Sequence, residues 1–241
     1  MATTTFHDFY NSDLQSVYAL CVVPIVFLAW LAFSPAARAT ARSKEAWRRF
    51  LYAYSVVFSV ETMLDPFATG PVVRWLGVAD SGAGTAILLT FVLLGDFRVY
   101  LLLLRLARIG RPLGEIVRMA AGWTLVVPIV AYAADSALDA VRPGLPSQTI
   151  WLLYELAFLS MALWLRAAGI ARFLDSPNPM LQRALEAVAG YVAGYYALWA
   201  TADVVILVLG LDEGWALRVV PNQLYYAFFL PFVWSRLASA R

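Results

Sequence analysis

The stretch GTAILLTFVLLGDFRVYLLLLRLAR, residues 84–108, decides the fold. Before the arginines near its end, its only charges are Asp96 and Arg98. A helix that crosses a membrane needs about 20 predominantly apolar residues, and this run supplies them. Comparable runs lie at 16–36, 50–67, 119–136, 150–168, 184–210 and 216–236. The breaks between them carry turn residues: Ser34-Pro35, Pro66 to Pro71, Gly110-Arg111-Pro112, Pro143 to Pro146, and Ser176-Pro177-Asn178-Pro179. The expected fold is therefore an all-α integral membrane domain of seven transmembrane helices covering residues 1–241.

Composition agrees. Apolar residues make up 62% of the 241 residues and charged residues 14%, with a mean hydropathy of +0.71. A soluble domain averages about 45–50% apolar and about 25% charged, so too little polar surface exists here to cover a globule in water. The lipid bilayer is the first partner implied. The net charge of +2 is spread in short basic clusters between apolar runs, which speaks against nucleic acid as a partner. Lys44 is the one lysine among 18 basic residues, a bias that points with the abundant alanine to a GC-rich bacterial genome. The opening Met-Ala-Thr-Thr-Thr-Phe-His-Asp has no basic segment ahead of the first run, so that run is expected to remain as a helix.

Orientation follows from the basic residues flanking the runs. Fourteen of them fall on one side: Arg38, Arg42, Lys44, Arg48 and Arg49; Arg105, Arg108, Arg111 and Arg118; Arg166, Arg172 and Arg183; Arg236 and Arg241. Three, Arg74, Arg142 and Arg218, fall on the other side, which is acidic through Asp8, Asp13, Asp80, Asp135, Asp139, Asp212 and Glu213. The N-terminus is expected outside and the C-terminus in the cytoplasm, in the plasma membrane. A weak three-plus-one-plus-three repeat is also legible. Tyr18 and Trp30 match Tyr154 and Trp164, Asp65 matches Asp203, and Arg105 matches Arg236.

Ionisable groups inside a membrane are costly and usually face the bundle interior or a water-filled cavity. Those found here are Glu61, Asp65, Asp96, Arg98, Glu155 and Asp203, joined by the polar Asn222 and Gln223. At ~1.5 Å per residue, Glu61, Glu155, Asp203 and Asn222 each fall about 8–10 Å below the outer end of their runs, and Asp96 and Arg98 about 18–21 Å below. The expectation is a polar cavity open to the outside with an ionic floor. Glu61 and Asp65 share a helix face, and two carboxylates so close do not both ionise cheaply in a low dielectric. Tyr191, Tyr195, Trp199 and Asp203 follow one another at i, i+4 as an aromatic wall ending in an acid, and Asn222 with Tyr226 repeats the spacing. Asp96 and Arg98 fall on roughly opposite faces, so Arg98 is expected to pair with Glu61 or Glu155. The candidate binding residues are Glu61, Asp65, Asp96, Arg98, Glu155, Tyr195, Trp199, Asp203, Asn222 and Tyr226. Three plainer readings accompany them. Asp65 before Pro66 could simply end its helix, Gly190-x-x-x-Gly194 marks a close helix contact, and Pro24, Pro128 and Pro231 kink their helices.

Absences narrow the function. His7 is the one histidine and Cys21 the one cysteine, so haem ligation by paired histidines, a zinc site, a Ser–His–Asp triad and an internal disulfide are not expected. The topology resembles that of the rhodopsins, but the last run holds no lysine for a retinal Schiff base. It also resembles sugar transporters of the SWEET and PQ-loop type, but Pro221 is followed by Asn222 and then Gln223, so the Pro-Gln signature is missing. Leu93-Leu94-Gly95-Asp96 resembles a Gly-Asp motif of membrane lysoplasmalogenases, without the histidine expected beside it. None of these likenesses covers enough of the chain to carry residues over.

No cofactor, metal site or catalytic set is read. The converging polar groups support a transporter or channel for a small solute or ion. The same carboxylic acids fit an intramembrane enzyme acting on a lipid or isoprenoid. A ligand-binding sensor or assembly subunit is the third reading.

Overall fold

The computed structural model describes residues 5–79, 81–175 and 178–238. Asp80, the Ser176-Pro177 break and Arg241 lie outside the described residues. Within these bounds the chain is helical, without a strand.

The helices are α1 (Phe6–Asn11), α2 (Leu14–Phe33), α3 (Pro35–Ala41), α4 (Ala46–Phe67, continuing to Trp75), α5 (Gly82–Ala107), α6 (Leu113–Val141), α7 (Gln148–Phe173), α8 (Pro179–Leu207) and α9 (Glu213–Asn222, continuing to Leu237). Five of them, α2, α5, α6, α7 and α8, are long and apolar enough to cross a membrane. The long α4 and α9 are more polar, because they carry Glu61, Asp65, Arg218, Asn222 and Gln223.

Turn residues in the sequence become helix starts. Ser34 Oγ accepts from the Ala37 amide, Ser81 Oγ from Gly84, and Asn178 Oδ1 from Leu181, with Pro35 and Pro179 at the first helical position. The first run therefore stops at Phe33 rather than residue 36, since Ser34 begins a separate short helix. The break expected from Pro66 to Pro71 is helical instead. The chain passes Pro66 within α4 and takes a π turn over Ala68–Val72 before ending at Trp75. Asp65 is thus not a helix end but a buried residue within α4. Pro24 and Pro128 sit within unbroken α-helix. Pro221 and Pro231 instead bracket a π segment, Gln223–Phe228, in the middle of α9. Proline removes a ladder donor and clashes with the preceding turn, which accounts for the irregular backbone between them.

Each long helix packs on its neighbour in sequence, and α9 returns to pack on α2 and α4, closing a ring. The deep half of α5 is the most enclosed part, with Val99, Tyr100, Leu102, Leu103 and Leu104 each at most 1% exposed. Large apolar side chains such as Val26, Phe33, Ile129 and Val130 remain exposed on the outer faces of α2 and α6. A polytopic membrane protein accounts for that surface, because lipid rather than water covers it. The residues paired by the repeat occupy unlike surroundings: Tyr18 is 59% exposed and Tyr154 is 8% exposed. The Gly190 and Gly194 pair makes no close helix crossing. Gly190 faces the Arg166 side chain and Gly194 has nothing within 4 Å of where a Cβ would stand.

Candidate functional site

The buried polar groups fall into two sets. The first set, called outer for the end of the bundle where α1 sits, is built where α8 turns into α9. Gly210, at φ +65°, lets the chain reverse tightly. Gly214 lets α9 approach α8, because a Cβ there would stand 2.9 Å from the Ala202 carbonyl oxygen. In this antiparallel pair Asp203 lies one turn before the end of α8 and Arg218 a little over one turn after the start of α9, so the two meet at one level. Arg218 Nη1 donates to Asp203 Oδ1, and its Nη2 lies 3.4 Å from Glu155 Oε1 of α7. Gln148 Nε2 donates to the other Asp203 oxygen at 2.8 Å.

Asn222 lies one turn below Arg218. Its Oδ1 accepts from Trp199 Nε1 at 2.9 Å, and its Nδ2 donates to the Tyr10 hydroxyl at 3.1 Å. Tyr10 arrives from α1, which is fastened to the start of α9. Asp212 accepts from the Phe6 amide at 2.6 Å, and the His7 and Trp215 rings meet edge to face at 4.7 Å.

Against this set lies a cavity of about 430 Å³. Its walls are Trp151, Trp199, Trp215, Tyr154 and Tyr196, with Glu155, Arg218, Asn222 and Tyr226 as polar lining and Tyr10 and Asn11 from α1. Beneath it Asp96 accepts from the Tyr154 hydroxyl and, at 2.6 Å, from the Tyr196 hydroxyl. Among the described residues, one buried carboxylate oxygen has no partner: Glu155 Oε2, on a residue 4% exposed.

The deep set surrounds Arg98, which is 1% exposed. Its Nη1 donates to Thr62 Oγ1 and its Nη2 to the Tyr225 carbonyl, each at 2.8 Å. Glu61 Oε2 lies 3.7 Å away. The guanidinium also sits over the rings of Tyr225 at 4.2 Å and Phe229 at 4.8 Å. The π segment of α9 supplies this site, since the Leu224 carbonyl accepts from Tyr191 and the Tyr225 carbonyl accepts from Arg98. Asp65 completes the set, accepting from Tyr226 at 2.9 Å and Thr69 at 3.2 Å.

The expected single polar layer is therefore divided. Glu155, Asp203 and Asn222 come together with Trp199, but Glu61 lies with Arg98 and Asp65. Asp96 and Arg98 go to separate partners. Arg98 meets Glu61, while Glu155 meets Arg218. Tyr226 joins the sets, because it lines the cavity and donates to Asp65. Tyr195 is fully buried behind the wall, stacked edge-on to Trp199 and Tyr225, and does not line the cavity.

Sequence reasoning missed Arg218, Tyr10, Gln148, Tyr154 and Tyr196. Arg218 was countable as a loop cation, yet its spacing of four from Asn222 was a readable signal. No spacing rule would have found Tyr10, which reaches the cavity by a contact between distant segments. No family model, curated protein or solved structure matches the chain. The residues at the cavity therefore carry the functional argument.

Proposed function

We propose that the chain is a seven-span transporter of the plasma membrane that takes a small solute from outside into the aromatic-lined cavity. The observation that carries this reading is the one-sidedness of the cavity. It lies at the end of the bundle where α1 sits, and beneath it the bundle is closed by Asp96, Arg98 and the buried Tyr195, Phe158 and Leu102. On this reading α4 and α9 are the two spans that complete the seven, with their charges turned inward. The excess of arginine and lysine at the opposite end supports an outward-facing cavity. The Asp13–Arg74 pair, at 2.5 Å, ties the starts of α2 and the end of α4 together at the proposed outer face.

Transport requires the closed layer to open in turn. The π segment of α9 meets that layer through the Tyr225 carbonyl, and such an irregular turn absorbs backbone movement. Movement there would bring Asp96 and Arg98 toward the inner side. Purified protein in proteoliposomes under an imposed pH gradient tests the reading. Uptake of a small cationic, neutral or anionic solute above that of empty liposomes, lost in Asp203→Asn, is expected. Flux indistinguishable from empty liposomes for all three classes overturns it.

A further inference from the structure

We propose that the outer cavity binds an organic cation bearing an N–H group, with Glu155 as its counter-ion, and that the cation exchanges with a proton. This rests on the transport reading only for its direction; the binding stands by itself.

The charges set the sign of the ligand. Two carboxylates, Glu155 and Asp203, share one guanidinium, so the outer set carries one negative charge in excess. The charged donor that an anion would need is committed. Arg218 gives Nη1 to Asp203, Nη2 to Glu155 and Nε, at 3.4 Å, to the Tyr10 hydroxyl. Gln148 Nε2 and Asn222 Nδ2 are also engaged. The buried group left open is an acceptor, Glu155 Oε2. A buried acceptor without a donor is costly, and an ammonium or amidinium N–H satisfies it.

The walls fit the same class. Trp151, Trp199, Trp215 and Tyr154 line the cavity, and aromatic rings attract a desolvated cation. They already hold one, because the Arg218 guanidinium sits 5.9 Å from the Trp215 ring and 5.8 Å from that of Tyr10. The volume of about 430 Å³ is that of a small-molecule site.

The excess negative charge is neutralised either by a proton on the Glu155 carboxyl or by the bound cation. When the ammonium enters, the Glu155 O–H bond breaks, the proton leaves to solvent, and the carboxylate pairs with the ammonium. The groups facing Glu155 from neighbouring helices are Asp203 of α8 and Arg218 of α9, with Tyr10 of α1 and Tyr196 of α8 across the cavity; Asp96 of α5 lies behind Tyr154 and Tyr196. None of these adds a second free cation that would replace the ligand.

The test is calorimetric binding to the full chain in mild detergent, using phenethylammonium, phenylacetate and 2-phenylethanol as probes of one shape. The cation is expected to bind at least about tenfold more tightly than the other two. Its heat should vary with the buffer in the sense of proton release. Affinity should rise as the pH is raised, by up to about tenfold per unit. Glu155→Gln is expected to lose about tenfold or more in affinity and all of the proton release, while keeping its thermal midpoint, because Arg218 and Asp203 remain a matched pair. If that variant does not fold, Trp151→Leu, which leaves the ion cluster intact, should weaken the cation several-fold and leave 2-phenylethanol unchanged. Equal binding of phenylacetate, no binding of phenethylammonium, or full affinity in Glu155→Gln with wild-type pH dependence each overturns the proposal. Binding of the cation without flux in liposomes overturns the transport reading alone. Flux with no preference for the cation overturns this inference alone.

Discussion

Arg98 and Arg218 are both buried arginines beside carboxylates, and the two regions they organise are built on opposite principles. Around Arg98 the neighbouring carboxylates are supplied with hydroxyl donors: Tyr226 and Thr69 for Asp65, Tyr154 and Tyr196 for Asp96, and at longer range Thr62 for Glu61. The guanidinium is clamped between two rings and two neutral acceptors. Around Arg218 two carboxylates compete for one guanidinium, and one oxygen is left with nothing. In the deep set Arg98 Nε is left without a partner, but the carboxylates are supplied, and a largely satisfied polar network in low dielectric fixes a structure. An unsatisfied one at the wall of a cavity is a place for something else to bind. On the proposed reading, the difference between the regions is between closing a bundle and receiving a ligand.

Removing each arginine should break that comparison most sharply. Arg98→Met takes the donors from Thr62 Oγ1 and the Tyr225 carbonyl and leaves Glu61, with its side chain 12% exposed, without its cation. A loss of about 3–5 kcal/mol is expected, read as the unfolding midpoint in detergent. Arg218→Gln strands two carboxylates as well, but beside a cavity, so the loss should be smaller, about 2 kcal/mol. Adding Glu155→Gln to that variant should restore part of the stability, since one of the two stranded charges is then removed. No such rescue is expected when Glu61→Gln is added to Arg98→Met, because the Tyr225 carbonyl and Thr62 Oγ1 still lack the donor they accepted from. Equal losses at the two arginines, or equal rescue, would mean that the regions do not differ in kind.

The joint between the regions is Gly95. A Cβ at this position would stand where the Tyr225 hydroxyl is, with the ring Cζ 2.7 Å away. Tyr225 is the residue whose carbonyl and ring hold Arg98, so Gly95→Ala should push it off the guanidinium. A cost of about 1–3 kcal/mol is expected from overpacking. Because Tyr225 also lines the cavity, ligand affinity should fall with it. A stable variant with altered affinity would show that the outer site can change while the deep clamp stays whole.

Most of the fold was legible because the apolar runs are long and the turn residues between them are strong. What the sequence hid lies at points where packing overrides a local rule. Pro66 reads as a helix end, yet the helix passes it, because Pro66 and Asp65 are buried and Asp65 has Tyr226 and Thr69 to meet. The candidate site was legible in its residue types but not in its grouping. Depth along a helix places Glu61 level with Glu155 and Asp203, but rotation about the axis sends it to Arg98 instead, and rotation depends on partners that a single run does not reveal. Arg218 was hidden by its own charge, since an arginine near the outer end of a run reads as a loop residue until the carboxylates facing it are known.

The smallest effect concerns α1, which packs on the start of α9 and the start of α2 over the outer region. Its start is a capping box in which the Thr5 hydroxyl accepts from the Asp8 amide at 3.1 Å and Asp8 accepts from the Thr5 amide at 3.2 Å. Thr5, through its side chain and then its backbone, holds the exposed Asp8 carboxyl below its ordinary range. A carboxylate with a depressed folded value contributes its stabilisation above the unfolded value and loses it as the pH falls through the folded one. Docking of α1 should therefore be constant from neutral pH down to the ordinary carboxylate value, and loosen progressively as the pH falls from there through the folded value. Hydrogen exchange at the amides of Phe6 to Asn11 reads this directly. Asp8→Asn should exchange a few-fold faster at neutral pH and show less loosening in acid, with Asp212→Asn as the control for the other carboxylate at the joint. The rate of cation entry should follow the exchange rate, because Tyr10 and Asn11 line the cavity. Protection around Arg98 should not move. If it does, α1 supports the whole bundle, and the separation of an outer receiving region from a deep closing one fails.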